Sequence, residues 1–271
     1  MATATQNKGN SANIAVRMNF PRATFAIIAA LVLAHAALSG GFLFQKSENV
    51  SALGFSLDKP LNVLPYNFVH VDYTHLIMNL AVIAAAGLVL EGILGRRHVL
   101  ALFFLGSAVS AFLFALYSPE YAVVGSSAGA IAMLGAAFSL DTRKAAAFTA
   151  AALVAGTLLV SAGAYYVERT QESLSDGIVA LESQRQQAIA GNDMPAAREA
   201  EARISESRKS MEEMDAGIRL NSSIPPSSEI HVFASLFGVM YAYVFSRKAL
   251  EKNSAWLMAM PARAQKALGM K

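Results

Sequence analysis

The sequence predicts an all-α membrane protein with six spans and a helical hairpin inserted between the fifth and the sixth. Three observations lead to this fold class. The 271-residue chain is 55% apolar and only 15% charged, whereas soluble domains carry about a quarter charged residues. Several of its apolar runs reach the roughly 20 residues with which a helix crosses a bilayer. Before the last run lies a charged segment with heptad spacing, which is typical of paired helices.

The membrane segments are predicted, in chain order, at residues 23–44, 69–94, 98–117, 127–140, 146–166 and 230–245. The first run is about 22 residues long, too long for the 7–15 apolar residues of a signal peptide, so we expect an uncleaved helix. The chain then divides into a flexible N-terminus (1–22), membrane core helices 1–5 (23–166), an insertion (167–228), core helix 6 (229–246) and a basic interfacial tail (247–271).

The basic residues predict the orientation. Of the 22 lysines and arginines, 13 lie in the two tails and in the loops after the second and fourth segments. Cytoplasmic loops carry the excess of positive charge, so we expect a multi-pass protein of the inner (plasma) membrane with both termini cytoplasmic and the insertion outside. The net charge of only +3 is scattered and gives no support for nucleic-acid binding. The chain has no cysteine and therefore no disulfide.

The fourth segment is short, and its length gives a depth for Ser127. Its 14 residues rise about 21 Å at ~1.5 Å per residue, against about 30 Å for the hydrocarbon core. With Asp141 and Arg143 at the cytoplasmic surface, Ser127 lies below the outer surface and residues 122–126 are non-helical. Such backbone needs surrounding protein or a water-filled cavity. A serine among small residues also serves plain helix packing.

Other polar residues fall at the same depth. His75 and Asn79 share one helical face, and polar side chains inside a span suggest function, although interhelical hydrogen bonding is the alternative. His231 begins the sixth segment and shares a face with Ala234 and Gly238. Segments 2, 4 and 6 run in the same direction, so these residues and Ser127 are predicted to form one layer.

Several features receive structural interpretations. His35 is lone and is expected to pack in the bundle. His70 and His75 are five residues apart and are expected to point away from each other, and no H-E-x-x-H motif occurs, so no metal site is predicted. Glu91 is expected to pair with an arginine or to cap the next helix. The loop at 45–68 shows no recognisable chemistry.

Together these motifs resemble the rhomboid intramembrane serine proteases, over about residues 65–140 and 229–245. The sequence elements that carry the resemblance are His70-x4-His75-x3-Asn79, Gly87-x3-Glu91-x3-Gly95-Arg96-Arg97, Val124-Gly125-Ser126-Ser127 and His231 in the last span. The resemblance implies a six-helix rhomboid bundle, no cofactor, and transmembrane proteins as substrates within the membrane lipid. The sequence departs from the family pattern at Ala128, Ile131 and Ala234, and it lacks a Trp-Arg element in the first loop.

By position, the resemblance makes Ser127 the nucleophile and His231 the general base. The resemblance also implies an oxyanion hole formed by the side chains of His75 and Asn79 with the backbone amide of Ser127. It implies accessory roles for His70 and Gly125. Ser126 is a rival nucleophile. Asp72 and Glu229 do not fall on the face that a third catalytic member needs, so a Ser-His dyad is expected. A catalytically silent rhomboid-fold protein that binds membrane clients is the alternative function.

The insertion lies outside the family core. Seven small or apolar residues between Ala197 and Ile218 follow heptad spacing, as do Leu174, Leu181 and Ala188. Gly191-Asn192-Asp193 interrupts the pattern with turn residues. We therefore predict two antiparallel helices, with two alternative roles: a solvated spacer, or a platform that gates substrates or binds a recruitment partner.

Overall fold

The computed structural model describes residues 20–39, 43–223 and 228–267. Predictions for residues 1–19, for 40–42 within the first predicted segment, for 224–227 within the insertion and for residues 268–271 lie outside the described ranges. The helices are α1 (Arg22–Ser39), α2 (Ser47–Leu53), α3 (Tyr73–Ile93), α4 (Arg96–Tyr117), α5 (Ser127–Leu140), α6 (Thr142–Ala190), α7 (Met194–Ser223), α8 (Ser228–Phe245), α9 (Arg247–Met258) and α10 (Met260–Ala267). Two short 3₁₀ helices, Pro60–Val63 and Pro65–Phe68, precede α3.

The all-α membrane class is confirmed. Within the described residues, five helices (α1, α3, α4, α6 and α8) are long and apolar enough to cross a bilayer, while α5 is apolar but has only 14 residues. Residues 122–126 before α5 are non-helical, as its length predicts. The described residues contain no sheet, and their extended backbone is limited to two isolated bridges. The count of six spans stays a prediction.

Helix α5 packs closely against α8 through small residues. A Cβ at Gly238 would collide with the carbonyl oxygen of Ala132, and a Cβ at Gly135 would come within 2.7 Å of the carbonyl oxygen of Ser235. Ala132 and Ala234 are fully buried. The small-residue seam predicted between segments 4 and 6 therefore exists, and it fixes how the two N-termini lie relative to each other.

Helix α1 is anchored to α3 near the end of the bundle where α3 ends. The Glu91 carboxylate accepts hydrogen bonds from the Ala23 and Thr24 amides, both at 3.1 Å, and from the Thr24 hydroxyl at 3.0 Å. Gly87 lies against the Thr24 side chain with no room for a Cβ. The structural role of Glu91 is confirmed, but the expected partner was wrong: it caps α1, which comes earlier in the chain, because α1 and not α4 begins beside it.

Helix α6 runs without interruption across residues 166 and 167, where the predicted insertion begins. It ends in a Schellman motif: Asn192 has a φ of 58°, Asp193 N–H donates to Ala188 O at 2.8 Å, and Asn192 N–H donates to Ile189 O at 3.1 Å. Helix α7 then returns along α6, as the Arg185–Glu201 and Arg208–Glu182 ion pairs at 2.6 Å show.

The inward face of this helix pair follows the heptad positions. Leu181, Ala197, Ala200 and Ile204 are buried between the two helices. The acidic and basic residues stay on the exposed faces, where ion pairs contribute little to stability.

Helix α9 is tied to the α5–α6 turn by one side chain. The Asn253 amide nitrogen donates to the carbonyl oxygens of Phe138 and Ser139 at 3.0 and 2.9 Å, and its oxygen accepts from the Thr142 amide at 3.1 Å. These bonds satisfy backbone groups at the end of α5 and the start of α6, which the helices cannot satisfy themselves.

Candidate active site

The candidate site lies where the N-terminal ends of α3, α5 and α8 meet. His70, just before α3, and Ser126, just before α5, are joined by a hydrogen bond of 2.9 Å between Nε2 and Oγ. The Ser126 amide also donates to Nε2 of His70 at 3.3 Å. Both side chains are completely buried. The ends of α3 and α5 that carry the candidate residues are therefore locked together.

The loop at 122–126 is held by the segment between α1 and α3. Phe55 and Val123 exchange backbone hydrogen bonds of 2.9 and 2.8 Å, and the Gly125 amide donates to Tyr66 O at 2.9 Å. The Tyr66 hydroxyl in turn donates to Ser107 O at 2.9 Å. No chemistry was predicted for the segment at 45–68, so the roles of Phe55 and Tyr66 were missed. Their only signal was that two large aromatic residues lie in a segment rich in turn residues.

Gly125 is needed for two reasons. Its φ of +97° is costly for any residue with a side chain. A Cβ there would also lie 2.5 Å from Cε1 and 2.9 Å from Nε2 of His75. The absence of a side chain lets the loop pass directly over the His75 ring, which is where the resemblance puts the oxyanion hole.

The start of α3 is fixed by Asp72. Its carboxylate accepts the His75 amide at 2.7 Å as an N-cap, and Asp72 forms an isolated antiparallel bridge with Phe44. The carboxylate therefore serves the helix terminus. This agrees with the expectation that Asp72 does not complete a catalytic triad.

Asn79 lies one turn after His75 and is buried, with 7% of its surface exposed. Its amide nitrogen Nδ2 has no hydrogen-bond partner. A buried donor without a partner is costly by about 1–3 kcal/mol, so such groups need an explanation. Nδ2 is available to a group that is not part of the resting protein.

Ser127 and His231 stand at the same level of the α5–α8 seam. Ala132 and Ala136, which contact Gly238, follow Ser127 by five and nine residues, and Gly238 follows His231 by seven. The helices run in the same direction, because Ala128, Ile230 and Ala234 near their starts belong to one buried cluster, whereas Leu140 and Ala242 near their ends belong to another.

No hydrogen bond joins Ser127 to His231 in the described part of the chain. The Nε2 atom of His231 is buried and has no partner, while Ser127 is half-buried. Catalytic hydrogen bonds are often long in the absence of substrate and tighten in the reacting complex. The imidazole nitrogen is thus free to accept a proton.

One expectation about the histidines was wrong. His70 and His75 do not point apart: their ring centroids are 5.2 Å apart, edge to face. The reason is that His70 precedes the N-cap of α3, so helical geometry does not apply to the pair. His35 of α1 is fully buried and its ring lies 6.3 Å from that of His70, so it packs in the bundle as expected, but against the site.

These rings do not make a metal site by themselves. Within the residues that the structure describes, no group of three or more His, Cys, Asp or Glu side chains has an arrangement that could hold a metal ion. The prediction that the site uses no metal or cofactor stays a prediction.

Comparison with known proteins agrees with this geometry. The Rhomboid domain family model matches residues 58–173, which include His70, His75, Asn79, Gly125 and Ser127. The match ends inside α6, so it does not reach His231. No curated protein and no solved structure matched the chain. The resemblance to the rhomboid family that the motifs carry is confirmed over residues 58–173, which match the Rhomboid domain model.

Proposed function

We propose that the protein is an intramembrane serine endopeptidase that cleaves single-pass membrane proteins near the outer membrane boundary. The observation that carries the proposal is that two of the buried polar atoms without partners, a donor and an imidazole nitrogen, lie on α3 and α8 at the end of the bundle where α5 begins. Asn79 Nδ2 is a free donor and His231 Nε2 is a free nitrogen, and Ser127 begins the helix packed against α8. Acyl transfer needs a nucleophile, a base and a donor for the oxyanion.

The chemistry is that of a Ser-His dyad. The Ser127 hydroxyl gives its proton to Nε2 of His231 while Oγ attacks the scissile carbonyl carbon. The oxyanion accepts hydrogen bonds from Asn79 Nδ2, from the His75 ring and from the Ser127 amide, which has no acceptor within α5 because Ser127 is its first residue. Collapse breaks the C–N bond, and protonated His231 gives its proton to the leaving amine. Water then attacks the acyl-enzyme, and His231 accepts its proton and returns it to Ser127.

Burial favours Ser127 over Ser126 as the nucleophile. Ser126 has no exposed surface, and its hydroxyl is engaged with His70. A substrate carbonyl could not approach it without displacing the loop. Ser127 is half-buried, and among the described residues its hydroxyl has no hydrogen-bond partner. Ser126 and His70 then form a structural pair that holds α3 beside α5.

The proposed arrangement in the membrane has six spans with both termini cytoplasmic. The short α5 counts as the fourth span and begins below the outer surface, in a recess closed by the loop at 122–126. The α6–α7 pair extends outside from the fifth span. Cysteine-accessibility labelling in the chain, which has no native cysteine, tests this: position 192 should label from outside in intact cells and position 254 only after lysis.

The test of activity uses a fluorescent fluorophosphonate on detergent-solubilised protein, with Ser127→Ala, Ser126→Ala and His231→Ala in parallel. The proposal expects labelling to be lost in the Ser127 and His231 variants and to persist in the Ser126 variant. Cleavage of a generic single-pass substrate should follow the same pattern. A folded wild type that neither labels nor cleaves, yet retains the substrate on co-purification, would favour the alternative of a catalytically silent client-binding protein.

We further propose that the α6–α7 pair regulates substrate access or binds a recruitment partner. The specific observation is a chain of aromatic contacts from this pair to the site. Gly217 of α7 lies against the Phe44 ring with no room for a Cβ, and Phe44 packs edge to face on Tyr73 with centroids 6.4 Å apart. Phe44 also bridges Asp72, the cap of α3.

This regulatory proposal is tested with Gly217→Leu, whose side chain would collide with the Phe44 ring and force it away from α7. The matched control is Gly177→Leu, where a Cβ meets nothing within 4 Å. The expected result is altered cleavage of membrane substrates in the Gly217 variant alone, with fluorophosphonate labelling kept. Replacement of residues 170–220 by a Gly/Ser bridge gives the complete loss of the platform. Unchanged cleavage of every substrate by both variants would leave only the spacer role.

A further inference from the structure

A cavity lined by basic residues lies at the opposite end of the bundle from the candidate active site. It has a volume of about 630 Å³ and opens between the start of α1 and the α3–α4 turn. Arg22, Arg96, Arg97 and His98 line it. The walls therefore combine three guanidinium groups from two helices that are distant in the chain.

The three arginines are not neutralised by the protein. All three are exposed, and none takes part in an ion pair among the described residues. The nearest acidic residue in the chain, Glu91, uses both carboxylate oxygens to cap α1. His98 is also engaged, through a 2.8 Å hydrogen bond between Nδ1 and the Tyr241 hydroxyl. The positive charge of the cavity is left without an anion.

The same cavity has an apolar border. Leu94 and Leu100 are part of its lining, and Leu100 has 39% of its surface exposed. Outside the cavity lining, Phe25 follows Arg22 by three residues in α1; it is 46% exposed and stacks on Phe20 with centroids 4.6 Å apart. A soluble anion would use only the charged wall, whereas a ligand with a charged head and an apolar chain would use both.

We propose that this cavity binds one anionic phospholipid by its phosphate group. Guanidinium groups donate paired hydrogen bonds to phosphate oxygens, and basic pockets between membrane helices bind such headgroups. The acyl chains lie along Leu100 and Phe25. The lipid joins the start of α1 to the start of α4. Glu91 does not make this connection, because it links α1 to α3.

The experiment is native mass spectrometry of the full chain in detergent, titrated separately with phosphatidylglycerol, phosphatidylcholine and inorganic phosphate. The variant that removes the charge of the cavity, called the cleft variant, is Arg22→Gln/Arg96→Gln/Arg97→Gln. The matched control is Arg143→Gln/Lys248→Gln/Lys252→Gln, which removes the same charge from exposed residues outside the cavity. Lipid-free melting curves show that each variant is folded, and Arg96→Gln/Arg97→Gln serves if the triple variant does not fold.

We expect one saturable phosphatidylglycerol on the wild type and the control, and an affinity about tenfold or more weaker in the cleft variant, since several charge-assisted hydrogen bonds are lost. Phosphatidylcholine should bind more weakly than phosphatidylglycerol to the wild type. Three results would overturn the proposal: equal retention of phosphatidylglycerol by the cleft variant, an equal loss in the control, or inorganic phosphate that saturates the cavity without any preference for the lipid.

Discussion

Replacing Asn79 with leucine should affect catalysis and folding stability in different ways. Leucine has nearly the shape of asparagine, so the change replaces a buried amide by apolar atoms without opening a cavity. Asn79 Nδ2 makes no hydrogen bond in the resting protein, so no bond is lost on substitution. If Nδ2 is a donor to the oxyanion, its only bond forms in the transition state.

The two effects have opposite signs. Replacing a buried unpaired polar group by an apolar one of the same shape is neutral or stabilising, by up to about 1–2 kcal/mol. Losing one oxyanion donor lowers kcat by about 10²–10³, or roughly 3–4 kcal/mol of transition-state stabilisation. Because the interaction is made only in the transition state, kcat and kcat/KM should fall together while KM changes little.

The assay is cleavage of a fluorogenic single-pass substrate in liposomes, with thermal unfolding of the same preparation. Thr149→Val is the matched control. Thr149 also has a buried hydroxyl without a partner, but it lies near the start of α6, at the other end of the bundle. The Thr149→Val enzyme should therefore cleave the substrate as fast as the wild type.

Two results would refute the reasoning. An Asn79→Leu enzyme with wild-type kcat would remove Asn79 from the oxyanion hole. An Asn79→Leu enzyme that melts far below the wild type would show that Nδ2 has a structural partner in the membrane, and the fall in activity would then carry no information about catalysis.

Three further substitutions test the framework of the site. Gly125→Ala places a Cβ on the His75 ring at a φ of +97°, so we expect a loss of about 1–3 kcal/mol of stability and near-complete loss of cleavage, measured by melting and by substrate turnover. Gly238→Ala forces α8 away from Ala132, with a cost of about 1–3 kcal/mol from overpacking and a lower kcat because His231 moves with the helix. Asn253→Ala leaves backbone groups of the α5–α6 turn unsatisfied, and we expect about 1–3 kcal/mol of destabilisation with kcat preserved, since the turn is remote from Ser127.

Gly92→Ala is the common control for the two glycine substitutions. Gly92 is in α3, and a Cβ there meets nothing within 4 Å. An alanine in this position should be neutral or stabilise the helix by up to about 1 kcal/mol. If Gly92→Ala impaired cleavage as much as Gly125→Ala, local contacts would not explain the glycine effects.

The features that were predictable from the sequence are those set by spacing along one helix or by the direction of helices. His75 and Asn79 are four residues apart inside α3, so helical geometry sufficed. The seam of Ala132 with Gly238 followed from small residues at helical spacing. The non-helical backbone at 122–126 followed from the short length of α5, because the rise per residue is fixed.

The features that were missed depend on irregular backbone. His70 precedes α3, and its bond to Ser126 follows from the path of the chain around Asp72, which no periodicity encodes. The same holds for Phe55 and Tyr66, whose backbone groups support the loop before α5. Glu91 was expected to act within its own neighbourhood, but its partners are Ala23 and Thr24, about 68 residues away, and only the packing of α1 on α3 brings them together.

The pattern of hydrogen bonding around the serine supports a catalytic role more strongly than any one residue does. The loop before α5 is non-helical backbone, and at the membrane depth predicted for it each unsatisfied polar group would be costly. Its groups are paired: Val123 with Phe55, the Gly125 amide with Tyr66, and Ser126 with His70. Asn79 Nδ2 and His231 Nε2, on the helices beside it, are left without partners. Other buried side-chain atoms also lack partners in the described residues, so it is the chemistry of these two that supports catalysis: a donor and an imidazole nitrogen on the helices that flank α5 are the groups that acyl transfer at Ser127 requires.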